Sequence, residues 1–288
     1  MDSLDHVTRR SFLASTAAIP VALAAQSANT IPVGLELYSV RDNLAKDLPA
    51  TLRSVAKMGY QVVEFYAPYF QWTPQRAEEV RSILDDAGIR CSSTHNGLES
   101  FSATGLPHAI DLNQILGSRY IVLASPGKVN ALDDYRKVAE TIGHAHETMK
   151  AQGLRAGYHN HDAEWRPLEG TRPIEIIAAN TPRDLMLQLD VGTCEAAGSD
   201  PVAWVAANPG RIRSLHLKDW SPERGYNVLF GEGRVPWQKL LDAAEAGGGV
   251  EFYLIEQEES GNPLEAVERC LANYRKLRDT RTSPATSG

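Results

Sequence analysis

The sequence of 288 residues has little cysteine, no surplus of positive charge and no long apolar run. Its three cysteines, Cys91, Cys194 and Cys270, form no CxxC pair. Neither a thiolate zinc site nor a redox dithiol is therefore expected, and all three read as small buried side chains. A chain of this length buries roughly three quarters of its unfolded surface and needs no disulfide staple. Lys and Arg number 29 against 36 Asp and Glu, a formal net charge of −7. That balance excludes the basic stripe that a nucleic-acid partner selects. With 22 Gly and 16 Pro, collagen-like and wholly disordered readings also fail. No GxGxxG or GxxxxGK[ST] follows a strand-like run, so no phosphate-cradling loop is expected. Gly231-Glu232-Gly233 follows no strand and reads as a turn.

The N-terminus is a separate object. Thr8-Arg9-Arg10-Ser11-Phe12-Leu13 precedes a short apolar stretch from Ala14 to Ala25. A basic segment, an apolar segment and small residues describe an export signal, and the paired arginines resemble a twin-arginine signal. The stretch is too short and too weakly apolar to span a membrane. We expect residues 1–30 to direct export to the periplasm or beyond, residues 31–278 to fold, and residues 279–288 to form a flexible tail. Removal of the signal leaves a chain near the ~250 residues of a single barrel.

The remainder alternates short β-rich runs with longer helical ones. The sequence predicts strands at Val33–Ser39, Val62–Tyr66, Arg90–His95, Tyr120–Ala124, Leu154–Asn160, Leu185–Val191, Ile212–Lys218 and Glu251–Gln257. Helical patterns follow them, over Leu48–Met58, Thr73–Ala87, Pro107–Leu116, Ala131–Gln152, Pro173–Ala179, Asp200–Ala207, Pro236–Ala246 and Pro263–Leu277. Eight strand–helix cycles imply parallel pairing and a closed (β/α)8 TIM barrel; an open doubly wound sheet is the alternative.

In such a barrel, chemistry sits at the C-terminal ends of the strands. Strand five ends in His159-Asn160-His161, strand six in Asp190, strand seven in His216 and Lys218, and strand eight in Glu256. Side chains alternate, so His159 shares a face with His161, and His216 with Lys218. A mixed imidazole and carboxylate set suits one divalent ion such as Mn²⁺, Zn²⁺, Co²⁺ or Fe²⁺. Earlier strands offer Glu36, Tyr38, Glu64 and His95. Of these, Glu64 faces either the pocket or a rim ion pair, His95 is expected to touch substrate, and Glu36 is expected to point in or out towards a helix.

Gly34-Leu35-Glu36-Leu37-Tyr38-Ser39-Val40-Arg41, Gly59-Tyr60-Gln61-Val62-Val63-Glu64-Phe65, Tyr158-His159-Asn160-His161-Asp162 and His216-Leu217-Lys218-Asp219 resemble the sugar phosphate isomerase/epimerase family with the xylose-isomerase-like TIM barrel. Gly231-Glu232-Gly233-Arg234-Val235-Pro236-Trp237 is similar to that family's segment before the seventh helix. The resemblance covers residues 31–278. It implies one divalent metal held by Glu, Asp, His and Glu from strands five to eight. Carried over, this gives Asp190, His216 and Glu256. Strand five departs from the pattern, with His159 as the favoured ligand, His161 as the alternative, and Glu164 as a carboxylate just beyond the strand.

The resemblance further implies proton transfer beside a sugar carbonyl. Glu256 would be the metal-bound base, His161 or Glu164 the second acid/base, and Lys218 the partner of developing negative charge. Tyr38, Trp165 and Trp220 would form a wall for a sugar ring. With a leaving group β to the carbonyl, the same site would act as a lyase or hydrolase on 3-keto-glycosides. A noncatalytic sugar-binding barrel and a DNA endonuclease barrel are the remaining classes, the last disfavoured by charge. Expected partners are a small sugar, the twin-arginine export machinery and further copies of the chain in a homo-oligomer. Nucleic acid and stable membrane association are not expected.

Overall fold

The computed structural model describes residues 31–282 apart from Gly248. The export signal expected at residues 1–30 lies outside the described residues. Eight parallel strands form a closed barrel in sequence order: β1 Val33–Glu36, β2 Val62–Phe65, β3 Arg90–Gly97, β4 Tyr120–Ser125, β5 Arg155–His159, β6 Met186–Asp190, β7 Ser214–Leu217 and β8 Phe252–Ile255. Pairing of β1 with β8, Gly34 opposite Leu254, closes the ring and excludes the open sheet.

The helices are α1 Arg41–Lys46, α2 Leu48–Met58, α3 Pro74–Ala87, α4 Leu106–Leu116, α5 Leu132–Lys150, α6 Pro173–Asn180, α7 Val191–Ala196, α8 Pro201–Ala207, α9 Trp237–Ala246 and α10 Pro263–Thr282. Thr73 and Asp200 cap α3 and α8, accepting from Arg76 N at 3.2 Å and Val202 N at 2.8 Å. Two short helices were not anticipated. One of them, α7, starts directly at the end of β6, where the Asp190 carboxylate accepts from Thr193 N at 2.9 Å. α10 continues to Thr282, past Asp279 where the tail was expected to begin. Arg275 holds it to Gly59 O at 3.1 Å, and Arg278 pairs with Glu245 on α9. No helix among the described residues is long and apolar enough to cross a membrane.

Alternation along the strands separates the barrel interior into two levels. Val62, Tyr120, Val122, Met186, Phe252 and Leu254 fill the lower level as one apolar cluster. Two residues further along, the same inward face carries Glu64 after Val62, Gln188 after Met186 and Glu256 after Leu254. Gly34 is required by this packing, since a Cβ there would lie 2.4 Å from Val62 Cγ2 and 2.9 Å from Leu254 Cδ2. The three cysteines are buried and free.

The turn Gly231-Glu232-Gly233 serves a carboxylate. Asp219 Oδ2 accepts from Gly231 N at 2.8 Å, Gly233 N at 3.1 Å and the Trp237 indole at 2.8 Å, while Oδ1 accepts from Trp220 N at 2.9 Å. A Cβ on Gly233 would lie 2.1 Å from Asp219 Oδ1, so this turn admits only glycine there. Hydrogen bonds to a charged group contribute about 1.5–3 kcal/mol each, and buried donors left unpaired are costly. Asp219→Ala is therefore expected to lose roughly 3 kcal/mol, which lowers Tm by roughly 6–12 °C in a chain of this size. A thermal melt within about 2 °C of the parent would show that the loop does not depend on this carboxylate.

Candidate active site

The upper ends of the strands enclose a cavity of about 580 Å³. Its lining includes Glu36, Tyr38, His95, His159, His161, Lys218 and Glu256. Asp190 and Glu64 lie at its floor, fully buried. Two carboxylates and an imidazole, those of Asp190, Glu256 and His216, bring their ligand atoms within 4.8 Å of one another. His159 faces the same point, with Nε2 3.9 Å from Asp190 Oδ2. His161 stands at the cavity edge, its ring centroid 4.9 Å from that of His159.

Each imidazole is oriented from behind. His216 sits between two carboxylates, Nε2 2.7 Å from Glu64 Oε1 and Nδ1 2.5 Å from Glu256 Oε2. Burial alone would lower the basicity of His216, but Glu64 and Glu256 outweigh it and raise its pKa to about 10. His159 Nδ1 lies 3.1 Å from Gln188 Oε1. Burial, together with the neighbouring His95 and His216, holds His159 well below the ordinary histidine range and keeps it neutral. His95 Nε2 lies 2.9 Å from Glu64 Oε1 and 2.8 Å from Gln188 Oε1. Gln188 Nε2 in turn donates to Glu64 Oε2 at 2.9 Å. Glu64 is thus the hub beneath all three rings. Burial opposes its charge, yet His95 and His216 hold it well below the usual carboxylate range.

Lys218 occupies the opposite side. Its ammonium lies 3.2 Å from Glu256 Oε1 and 3.7 Å from Asp190 Oδ2, and it pairs with Glu258. The side chain that follows it, Asp219, is committed to the loop described above. Burial would raise the Glu256 pKa, but Lys218 and His216 pull it well below the usual range. Burial and Glu256 push Glu258 up to about 7.

The donor set fits a divalent ion. Asp190 Oδ2 is buried without a hydrogen-bond partner and is aimed at the cluster. A neutral imidazole with its far nitrogen held by an amide, and another with its far nitrogen on a buried carboxylate, repeat the outer shell that orients metal-bound histidines. His159, Asp190, His216 and Glu256 would hold the ion, with His216 giving up the proton that its two carboxylate neighbours favour in the metal-free site. Glu64→Gln removes the charged acceptor behind His216. It is expected to weaken Mn²⁺ binding by ~10–100-fold, read by equilibrium dialysis; unchanged affinity would show that Glu64 plays no part in orienting the ring.

Three expected residues fall elsewhere. Glu164 is turned away from the cavity by the short helical turn Ala163–Trp165. Its oxygens accept from Tyr158 OH and His161 N, both at 2.9 Å. It therefore neither restores the strand-five carboxylate nor reaches a substrate. Trp165 is buried against Trp204 at 5.1 Å, and Trp220 carries Arg234 5.7 Å over its ring; neither lines the cavity. Glu36 points inward rather than towards a helix. Burial and the adjacent Glu64 raise its pKa well above the usual range, and its Oε2 has no partner. Gln188, Tyr66, Tyr226 and Glu258 were not anticipated. Period two from Asp190 and Glu256 points to Gln188 and Glu258, whereas Tyr226 lies in an irregular loop with no pattern to read.

A family model described as the xylose isomerase-like TIM barrel matches residues 52–277. The chain belongs to that family. A sugar phosphate isomerase/epimerase structure from Parabacteroides distasonis is 28% identical, with a TM-score of 0.71 over 88% of this chain and 97% of that one. A xylose isomerase-like TIM barrel protein from Mycobacterium smegmatis, solved in complex with magnesium, shares the fold at 14% identity, with a TM-score of 0.69 over 88% of this chain and 98% of that one. The L-ribulose-5-phosphate 3-epimerase UlaE of Salmonella paratyphi A is 33% identical over 82 residues, 28% of this chain and 29% of that protein.

Proposed function

We propose that the protein is a divalent-metal-dependent sugar isomerase or epimerase that moves a proton beside a carbonyl. The observation that carries this reading is the convergence of His159, Asp190, His216 and Glu256, with an orphaned Asp190 oxygen, at the floor of a cavity of sugar size. The likeness to the Parabacteroides isomerase/epimerase, and the shorter match to the Salmonella epimerase, support the same chemistry.

When bound, the metal would polarise the substrate carbonyl and stabilise negative charge on its oxygen. Glu256, kept ionised by Lys218 and His216, accepts the proton from the neighbouring carbon. The Lys218 ammonium faces the same carboxylate and offers a hydrogen bond to the oxygen on which charge develops. His161, at the cavity edge, returns a proton from the other side. The tyrosine rings of Tyr38 and Tyr66, 5.3 Å apart and edge to face, form the wall against which the sugar lies. We further propose that residues 1–30 export the chain to the periplasm.

The test is incubation of the Mn²⁺-loaded protein with ketoses in D₂O, followed by NMR. Deuterium at the carbon beside the carbonyl, without fragmentation, is the expected result. Release of an aglycone from a 3-keto-glycoside would instead mark a lyase, a course that the histidine on strand five leaves open. Absence of exchange from every sugar, in protein shown to hold metal, would overturn the proposal.

A further inference from the structure

The end of the cavity that opens to solvent differs from its floor. Glu258 and Glu259 line it, as does Asp162, whose carboxylate is paired with Arg166 at 2.9 Å. Among the described lining residues, Lys218 is the one lysine or arginine, and its ammonium is shared between Glu256 and Glu258. Arg41, beside the cavity residue Tyr38, donates to Tyr38 O at 3.0 Å and lies 4.4 Å over the Tyr38 ring. At the N-terminus of α7, the Thr193 N–H is taken by Asp190. The groups that usually grip phosphate are a bidentate arginine, a free lysine or an open helix N-terminus. Here each of these is already engaged, and acidic side chains line the solvent end of the cavity. A divalent ion at the floor would offset Asp190 and Glu256, and Lys218 stays paired with Glu258, so no free cation remains while Glu259 adds negative charge at the mouth.

Resting on the proton-transfer reading above, we propose that the cavity selects an uncharged sugar or glycoside and disfavours its phosphate ester. The sugar's hydroxyls would meet the carboxylates as hydrogen-bond donors. A phosphate dianion would meet them as a like charge, which weakens binding steeply.

The experiment uses the full chain loaded with Mn²⁺ and two matched pairs: D-fructose with its 6-phosphate, and L-ribulose with its 5-phosphate. Deuterium exchange is measured for each, and binding by calorimetry. The expected result is exchange on a free ketose, with the ester at least ~100-fold poorer in kcat/KM. The double variant E258Q/E259Q should narrow that ratio at least ~10-fold. Equal or faster exchange on the esters overturns the inference and leaves the proton-transfer reading standing. If no sugar exchanges, that reading fails and calorimetry decides the inference by itself: tighter binding of the free sugar supports it, while tighter or equal binding of the ester, or binding of neither, overturns it.

Discussion

Glu256→Gln is expected to reduce proton exchange at least ~10³-fold while sugar binding survives in part. The carboxylate has two tasks that its amide cannot perform. It accepts the proton, and it supplies a negative donor to the ion. It also balances His216 and Lys218, at 2.5 and 3.2 Å. A neutral amide in its place leaves the buried Lys218 ammonium with one carboxylate partner fewer, a cost that falls on stability as well as rate. The assay must therefore pair exchange in D₂O with a melt and a binding titration. A folded, sugar-binding variant with parental turnover would remove Glu256 from the chemistry.

Asp190→Asn is the second large effect. The amide oxygen retains the cap on Thr193 N, which the carboxylate makes at 2.9 Å, so α7 should persist. The buried oxygen without a partner loses its charge, and the ion loses a ligand. Metal affinity should fall by more than the ~10–100-fold expected when an outer-shell partner is lost. Metal analysis of purified protein, before and after dialysis, reads this directly. Equal metal content in parent and variant would place the ion elsewhere, at His95–His159–His216 or Glu36–Glu64–His216, where donors also cluster. No metal in either protein would favour a site built for packing alone.

The fold was legible because several helices stop at a glycine, as at Gly59, Gly88 and Gly117, and some carry their own N-cap, as at Thr73 and Asp200. Closure followed from the number of cycles. The site was legible where a regular strand set the direction of a side chain: Asp190, His216 and Glu256 sit where period two puts them. Legibility failed where that regularity ended. Glu164 lies beyond β5, and a single helical turn swings it back to Tyr158. For Glu36 the sequence offered no contrast, because all of β1 is buried and an apolar neighbour on either side fixes no direction. Trp165 and Trp220 attracted attention as aromatic rings near strand ends, but the sequence does not show which face of a loop they take.

Lys218 and Asp219 are joined by a single peptide unit, one turned into the barrel and the other out to the loop through Gly231 and Gly233. Both ends of the segment between Trp220 and Gly231 are moored to the same carboxylate. Tyr226, which lines the cavity and lies 5.0 Å from the Lys218 ammonium, sits between those moorings. The segment is held by the body of the barrel as well: Val228, Leu229 and Phe230 are buried, and Gln257 Nε2 donates to Tyr226 O at 3.2 Å. The arrangement ties the loop that brings Tyr226 to the cavity to the strand end that carries Lys218, so a change in the hold on Asp219 is felt one peptide unit from the site.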